Sequence, residues 1–354
     1  MFNNEVLIVC AYRTPIGSLN GSLSSLKASD LGSLLIRTIL EKVNKDLVPD
    51  DVIIGQALTA GQGQNPARQS AINAGLPNKV NATTINMLCG SGLKACVLAY
   101  QAIKCGDANV VICGGQESMS QAPHCLNLRK ELKMGDGKMI DTMIYDGLTD
   151  AFENVHMGIT AEAVAVKYEV PRQEQDEFAL NSQRKYAQAF KNGAFINEII
   201  PVRIKQRGGD KIISTDEFPR VDTAIEGLRN LKPAFKKEDG TVTAGNASGI
   251  NDGAAMLLLM SSNEAQKQNL NPLVRIVSWA QSGCDPMLMG ICPIDAIKCA
   301  IQKACWTVND IDLFEINEAF ASQSIAILKT LNLDQTKVNV NGGSIALGHP
   351  IGIY

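Results

Sequence analysis

The sequence predicts an α/β protein with a duplicated core and an inserted lobe, and three observations carry that expectation. Strand-like and helix-like runs alternate from Val6 to Cys113. Between about residues 119 and 245 the texture changes to mixed charges and short elements. Beyond that stretch the alternation resumes, and three short segments of the first part recur in order at a spacing of about 260 residues. Alternation of this kind places a sheet between two helical layers, and an ordered recurrence points to duplication.

The elements follow in order. Residues 6–9 (Val-Leu-Ile-Val) form a short apolar, β-branched run and predict a strand. Residues 31–43 carry apolar side chains at helical spacing, 52–54 form the next strand, and 67–74 and 84–87 continue the alternation as helix and strand. In 93–103, Leu93, Cys96, Val97, Tyr100 and Ile103 share one helical stripe, and 110–113 is again a strand. Inside the lobe, a helix started by Pro171 carries Phe178, Ser182, Tyr186 and Ala189 along one stripe and stops at Asn192-Gly193. Residues 253–260 predict a buried strand, and 273–277 restart the pattern. Val6 then pairs with Val274, residues 51–54 with 312–315, and Lys79-Val80-Asn81 with Lys337-Val338-Asn339. The expected domains are 1–118 plus 246–268, an inserted lobe at 119–245, and a second half at 269–354. The first copy runs on past its equivalent turn through a helix and two strands, so the second half is expected to be incomplete.

Composition bounds the function. The 354 residues carry 33 Lys plus Arg against 36 Asp plus Glu, a net charge of -3, so no positive field recruits nucleic acid or anionic lipid. The longest apolar run, 254–260, falls far short of the roughly 20 residues that span a bilayer. The acidic start leads directly into the first strand, which predicts a cytoplasmic protein without a leader. Ten cysteines are scattered through apolar stretches without a CxxC pair or ligand-spaced histidines, predicting mostly buried, reduced thiols and no metal.

Several residues could carry chemistry. In Asn86-Met87-Leu88-Cys89-Gly90-Ser91-Gly92 a strand ends and a helix begins, so Cys89 lies where unpaired N–H groups and the helix dipole favour a thiolate. A buried structural cysteine fits the same local pattern. His349 lies in the glycine-rich loop 341–352, ahead of Pro350, on the repeat partner of the Cys89 turn; an imidazole there could deprotonate a thiol. Taken alone it also reads as a surface histidine. Asn317, at the end of a strand, could donate to an oxyanion or cap a helix. The turn 244–253 offers close backbone approach to a ligand, and neither a Walker motif nor GxGxxG is present.

Together these segments resemble the thiolase family, in its biosynthetic acetoacetyl-CoA type. The matching blocks are Arg13-Thr14-Pro15-Ile16-Gly17, Gly63-Gln64-Asn65-Pro66-Ala67-Arg68-Gln69, residues 86–92, Gly114-Gly115-Gln116-Glu117-Ser118-Met119-Ser120, His156-Met157-Gly158, 244–253, Asn317-Glu318-Ala319-Phe320 and 341–352. The resemblance implies a thiolase-like duplicated αβαβα five-layer fold with an inserted loop domain. It implies an acetyl-CoA C-acetyltransferase: two acetyl-CoA give acetoacetyl-CoA and CoA, or thiolysis in reverse, through acetyl-Cys89. His349 would activate Cys89 and, with a water held by Asn317, form the oxyanion hole. Leu148, His156, Met157, Arg220, Phe235, Ala244, Ser248, Met289, Ala319 and Phe320 would contact the CoA thioester, with His156 marking the short-chain class. Cys292 and Asp295 depart from the family pattern.

No bound cofactor or metal is implied, and the partners would be acetyl-CoA, acetoacetyl-CoA and CoA. A homotetramer is implied through the loops at 132–150, with no nucleic acid or membrane partner. The family follows its His-Pro loop with a Cys-x-Gly turn that supplies the condensation base. The sequence reaches Ile353-Tyr354 without one, so impaired condensation and poor solubility are expected. The alternatives are a catalytically inactive CoA-binding or subunit-interaction protein and a ketoacyl synthase-like condensing enzyme.

Overall fold

The computed structural model describes residues 5–129 and 134–353. The chain enters through β1 (Val6–Arg13) and the short β2 (Gly17–Ser18), then α1 (Ala28–Val43), β3 (Asp51–Gly55), α2 (Pro66–Asn73), β4 (Asn81–Ile85), α3 (Ser91–Cys105) and β5 (Val110–Ser118). The middle of the chain holds the hairpin of β6 (His124–Leu126) and β7 (Met139–Asp141), a π-turn at Met143–Gly147, α4 (Met157–Lys167) and α5 (Arg172–Lys191). It continues with a second hairpin, β8 (Val202–Ile204) and β9 (Lys211–Ile213), and α6 (Ile225–Arg229). β10 (Asn251–Ser261), α7 (Ser262–Lys267) and β11 (Val274–Arg275) follow, then α8 (Pro293–Lys303), α9 (Ala321–Leu331) and α10 (Ser344–Leu347).

One central sheet organises these elements, in the order β11-β1-β10-β5-β3-β4 with β2 beside β10. β3 lies parallel to both β4 and β5, while β10 runs antiparallel between β5 and β1. A period of two explains the uninterrupted apolar runs in its middle strands. Val110, Ile112, Met256, Leu258 and Met260 point to one face, where Leu31, Leu35, Ile36 and Ile39 of α1 meet Ala67 and Ala71 of α2. Val111, Cys113 and Leu259 point to the other, against Ala95, Ala99 and Ile103 of α3. The four α1 side chains are fully buried, each contributing about 1.5–3 kcal/mol.

The strand read at 84–87 is displaced: its ladder with β3 runs from Asp51↔Asn81 to Gly55↔Ile85, freeing Asn86 and Met87 for the turn that bears Cys89. The helix read from Pro171 spans Arg172–Lys191, with Pro171 and Asn192 as its caps. The second half differs more from expectation. Of the strand read at 273–277 only Val274–Arg275 pairs, and with β1. Residues 312–315 and 337–339 meet in one parallel bridge, Phe314↔Val338, the same parallel sense that joins β3 and β4 in the first half. Thus the described residues hold one extended central sheet, where five layers would need a second. Leu273, Val274 and Leu313 are exposed, so the apolar side chains of these segments lack the burial that favours an extended run as a sheet strand. Of the stretch at 132–150, residues 132 and 133 lie outside the described residues, as does Tyr354. Among the described residues no helix is long and apolar enough to cross a membrane.

The cysteines also depart from expectation. Cys284 and Cys292 form a disulfide with Cα atoms 5.6 Å apart, bracketing the 3-10 turn Pro286–Ile291. Cys105, Cys125 and Cys305 are exposed, and only Cys10 and Cys113 of the free thiols are buried. A scattered cysteine in an apolar run gives no sign of which helix face it occupies, which is why the sequence overcounted buried thiols.

Candidate active site

The Cys89 turn begins where the β4 ladder ends. Leu88 takes φ +46°, a left-handed conformation that costs a residue with a Cβ about 1–2 kcal/mol. Two polar side chains hold it: the Leu88 N–H donates to Asn86 Oδ1 at 2.9 Å, and Ser91 Oγ accepts from the Met87 N–H and donates to the Leu88 carbonyl at 2.6 Å. Cys89 is thereby presented on a single 3-10 turn ahead of α3, half-buried. It packs with Ala57, Leu58, Met119, Leu148 and Ile351.

The loop that carries His349 reaches the Cys89 turn from the other end of the chain. It turns at Gly348, φ +105°, where an added Cβ would sit 2.6 Å from the Asn251 side chain. The His349 N–H donates to Asn251 Oδ1 at 2.8 Å, and Asn251 Nδ2 donates to the Gly17 carbonyl, so β10 and β2 anchor the loop. Ile351 and Gly352 then close against the Cys89 turn and β5. The approach is tight: a Cβ on Gly115 would lie 2.1 Å from the Gly352 carbonyl oxygen. Asn317 completes the cluster, with Nδ2 3.2 Å from His349 Nε2.

Burial dominates the electrostatics. His349 is 5% exposed, and desolvation lowers its pKa from 6.5 to about 4, so the imidazole is neutral at pH 7. Desolvation raises the Cys89 thiol from 9.0 to about 11, against a small lowering by its own backbone N–H; the nearby Glu117 charge pushes it further up. The thiolate expected from the helix N-terminus is therefore corrected to a thiol. The dipole acts across the first turn, whereas removal from water acts on the whole charge.

Two hydrophobic sets hold Leu148, Met157, Phe235, Ala319 and Phe320, half of the other residues named from the sequence. Met157, Phe235, Ala319 and Phe320 pack with Ala161, Val242 and Ala247, and the Ser248 N–H donates to the Ala319 carbonyl. His156 caps α4, accepting the Gly158 N–H on Nδ1, and stacks on Phe235 at 4.6 Å; burial lowers its pKa. Leu148 packs with the Cys89 set. Arg220 is exposed and lines a cavity of about 410 Å³ with Glu217, Phe218 and Ile250, and Ile250 in turn touches the Cys89 set. Ala244 is exposed and outside both sets. Met289 is half-buried on the disulfide-bracketed turn, which packs on α4 and α9. Among the described residues no cluster of His, Cys, Asp or Glu could hold a metal ion.

Sequence reasoning missed the buried polar residues that hold the loops together. Glu117, next to the C-terminal end of β5, accepts from the Ala57, Leu58 and Gly352 N–H groups at 2.8, 3.2 and 3.1 Å. It thus ties the chain beside Cys89 to the chain after His349, and desolvation raises its carboxyl to about 7. Glu318 is buried as well, accepting from Ser182, Asn339 and Ile345. The strand read at 110–113 stops short of Glu117, so the available signal was only an acid following a glycine pair at the end of a buried apolar run.

The family model for the thiolase N-terminal domain matches residues 6–263, and that for the thiolase C-terminal domain matches 270–354. An acetyl-CoA acetyltransferase of Rhizobium meliloti (strain 1021) is 54% identical over 353 residues, covering 99% of this chain and 90% of its own. One of Chromobacterium violaceum is 55% identical, covering 98% and 89%. Among solved structures, the Bacillus anthracis acetyl-CoA acetyltransferase superposes with a TM-score of 0.96, and human mitochondrial 3-ketoacyl-CoA thiolase with 0.94. Each is 42% identical and covers 99% of this chain and 89% of its own. These matches give no support to the expected truncation of the second half, to an inactive CoA-binding protein, or to a ketoacyl synthase.

Proposed function

The chain belongs to the thiolase family of acyltransferases, and on that premise we propose that it is an acetyl-CoA C-acetyltransferase working through an acetyl-Cys89 intermediate. The observation that carries this reading is the convergence of the Cys89 turn with the His349 loop, beside an Asn317 amide 3.2 Å from the imidazole. His349 Nε2 takes the thiol proton as Cys89 sulfur attacks the acetyl-CoA carbonyl. The tetrahedral oxyanion is met by hydrogen-bond donors from the Asn317–His349 side, and its collapse expels CoA, which regains the proton from the imidazolium.

A base then takes a methyl proton from a second acetyl-CoA; the carbanion attacks the acetyl group and expels the Cys89 thiolate, which receives that proton back, leaving acetoacetyl-CoA and the Cys89 thiol. The family resemblance assigns the methyl proton in that step to a cysteine in a Cys-x-Gly turn following the His-Pro loop. Met157, Phe235, Ala319, Phe320, Ser248 and Leu148 flank the pantetheine arm in this reading, and His156 stacked on Phe235 narrows the site to a short acyl chain. Met289, Ala244 and Arg220 extend it toward the nucleotide end. The same reading makes the protein a cytoplasmic homotetramer with no resident cofactor.

The test is intact mass and peptide mapping after acetyl-CoA, beside an assay for acetoacetyl-CoA. The chain should gain one acetyl group on Cys89, and Cys89→Ala should gain none; acetylation that persists in the variant refutes the assignment.

A further inference from the structure

We propose that Ser344 is a positioning residue that sets the Asn317 amide and, through it, the proton-accepting form of His349. The inference rests on the acyl-transfer reading above and deepens it. Ser344 is the first residue of α10 and is 2% exposed. A backbone N–H can only donate, so the Glu318 N–H, 2.7 Å from Ser344 Oγ, occupies a lone pair there. The hydroxyl proton is left for Asn317 Oδ1 at 2.6 Å. With Oδ1 so engaged, the Asn317 NH₂ faces His349 Nε2 at 3.2 Å and donates to it.

Nε2 is then an acceptor, and a neutral imidazole carries its proton on Nδ1; its single Nε2 lone pair, held by the amide at rest, passes from the amide N–H to the thiol proton as acetyl transfer begins. The reversed amide would bring both the Glu318 N–H and the Asn317 NH₂ on to the Ser344 oxygen and direct its proton elsewhere. Oδ1 would then face Nε2 and favour a protonated ring nitrogen there. The Asn317 backbone is fixed independently, its carbonyl accepting from Gln323 Nε2 at 3.2 Å, so Ser344 decides the orientation of the amide and not the placement of the residue.

The experiment compares the full chain with Ser344→Ala and Ser344→Thr by ¹⁵N-histidine NMR and by the rate of acetyl transfer to Cys89. Histidine substitutions assign the three imidazoles. In the unsubstituted chain the His349 Nε2 resonance should lie in the unprotonated range. In Ser344→Ala it should move toward the protonated range, with kcat for acetylation down on the order of tenfold and KM for acetyl-CoA changed less than about twofold. Ser344→Thr keeps the hydroxyl and should restore both signals. A folded Ser344→Ala variant with unchanged His349 resonances overturns the proposal, as does a threonine variant as impaired as the alanine one. Absence of acetylation in the unsubstituted chain would count against the enzymatic reading instead, and the nitrogen resonances would still decide the role of Ser344.

Discussion

Alkylation of Cys89 by iodoacetamide should accelerate about tenfold per pH unit from pH 6 to beyond 10 without a plateau, because only the thiolate reacts. Burial raises this thiol from 9.0 to about 11, two units that correspond to about 2.7 kcal/mol against the charged form. At pH 7.5 the thiolate fraction is therefore on the order of 3 × 10⁻⁴, about a hundredfold below that of a thiol at the ordinary value. The neighbouring imidazole, at about 4, does not compensate, since it carries no positive charge at neutral pH. His349→Asn should thus change the alkylation rate less than about tenfold while removing most acetyl transfer, because His349 acts only as the proton moves. The assay is timed alkylation of the folded chain with quenching and peptide mapping, which separates Cys89 from the other nine cysteines. A rate that levels off below pH 8, or a collapse of alkylation at neutral pH in His349→Asn, would show a resting thiolate–imidazolium pair and refute the argument.

Two further outcomes follow from the same site. The Glu117 carboxyl titrates near 7 in the folded chain and near 4.5 unfolded, so between those values the native state holds the extra proton and stability falls as pH rises. The stability of Glu117→Gln relative to the original chain should accordingly improve by about 3 kcal/mol between pH 4.5 and 7, measured by urea unfolding; a pH-independent difference would refute the buried-acid argument. Gly348→Ala forces a Cβ against Asn251 at positive φ and should displace the His349 loop, lowering the acetylation rate at least tenfold with KM little changed; an unaffected rate would show that the loop tolerates the shift.

The local rules written in the chain were sufficient for the first half. Apolar runs at 110–113 and 253–260 signalled strands buried on both faces, and the stripe of Leu31, Leu35, Ile36 and Ile39 signalled the helix that covers them. The motif blocks likewise marked Cys89, His349 and Asn317, because glycines and a proline at fixed offsets constrain the backbone locally. Three properties depended on groups outside the local turn, from a cysteine eight residues away to a backbone N–H at a separation of 235 residues. The charge state of Cys89 was misread because desolvation comes from Ala57, Leu58, Met119 and Ile351 rather than from the turn itself. Pairing of Cys284 with Cys292 required the 3-10 turn between them to bring their Cα atoms to 5.6 Å. Glu117 and Ser344 drew no attention as a strand acid and a loop serine, and only folding aims the carboxylate at three N–H groups and the hydroxyl at the Asn317 amide. Sequence spacing determines what a backbone segment does within a few residues, whereas hydrogen-bond partners and dielectric surroundings are properties of the packed whole.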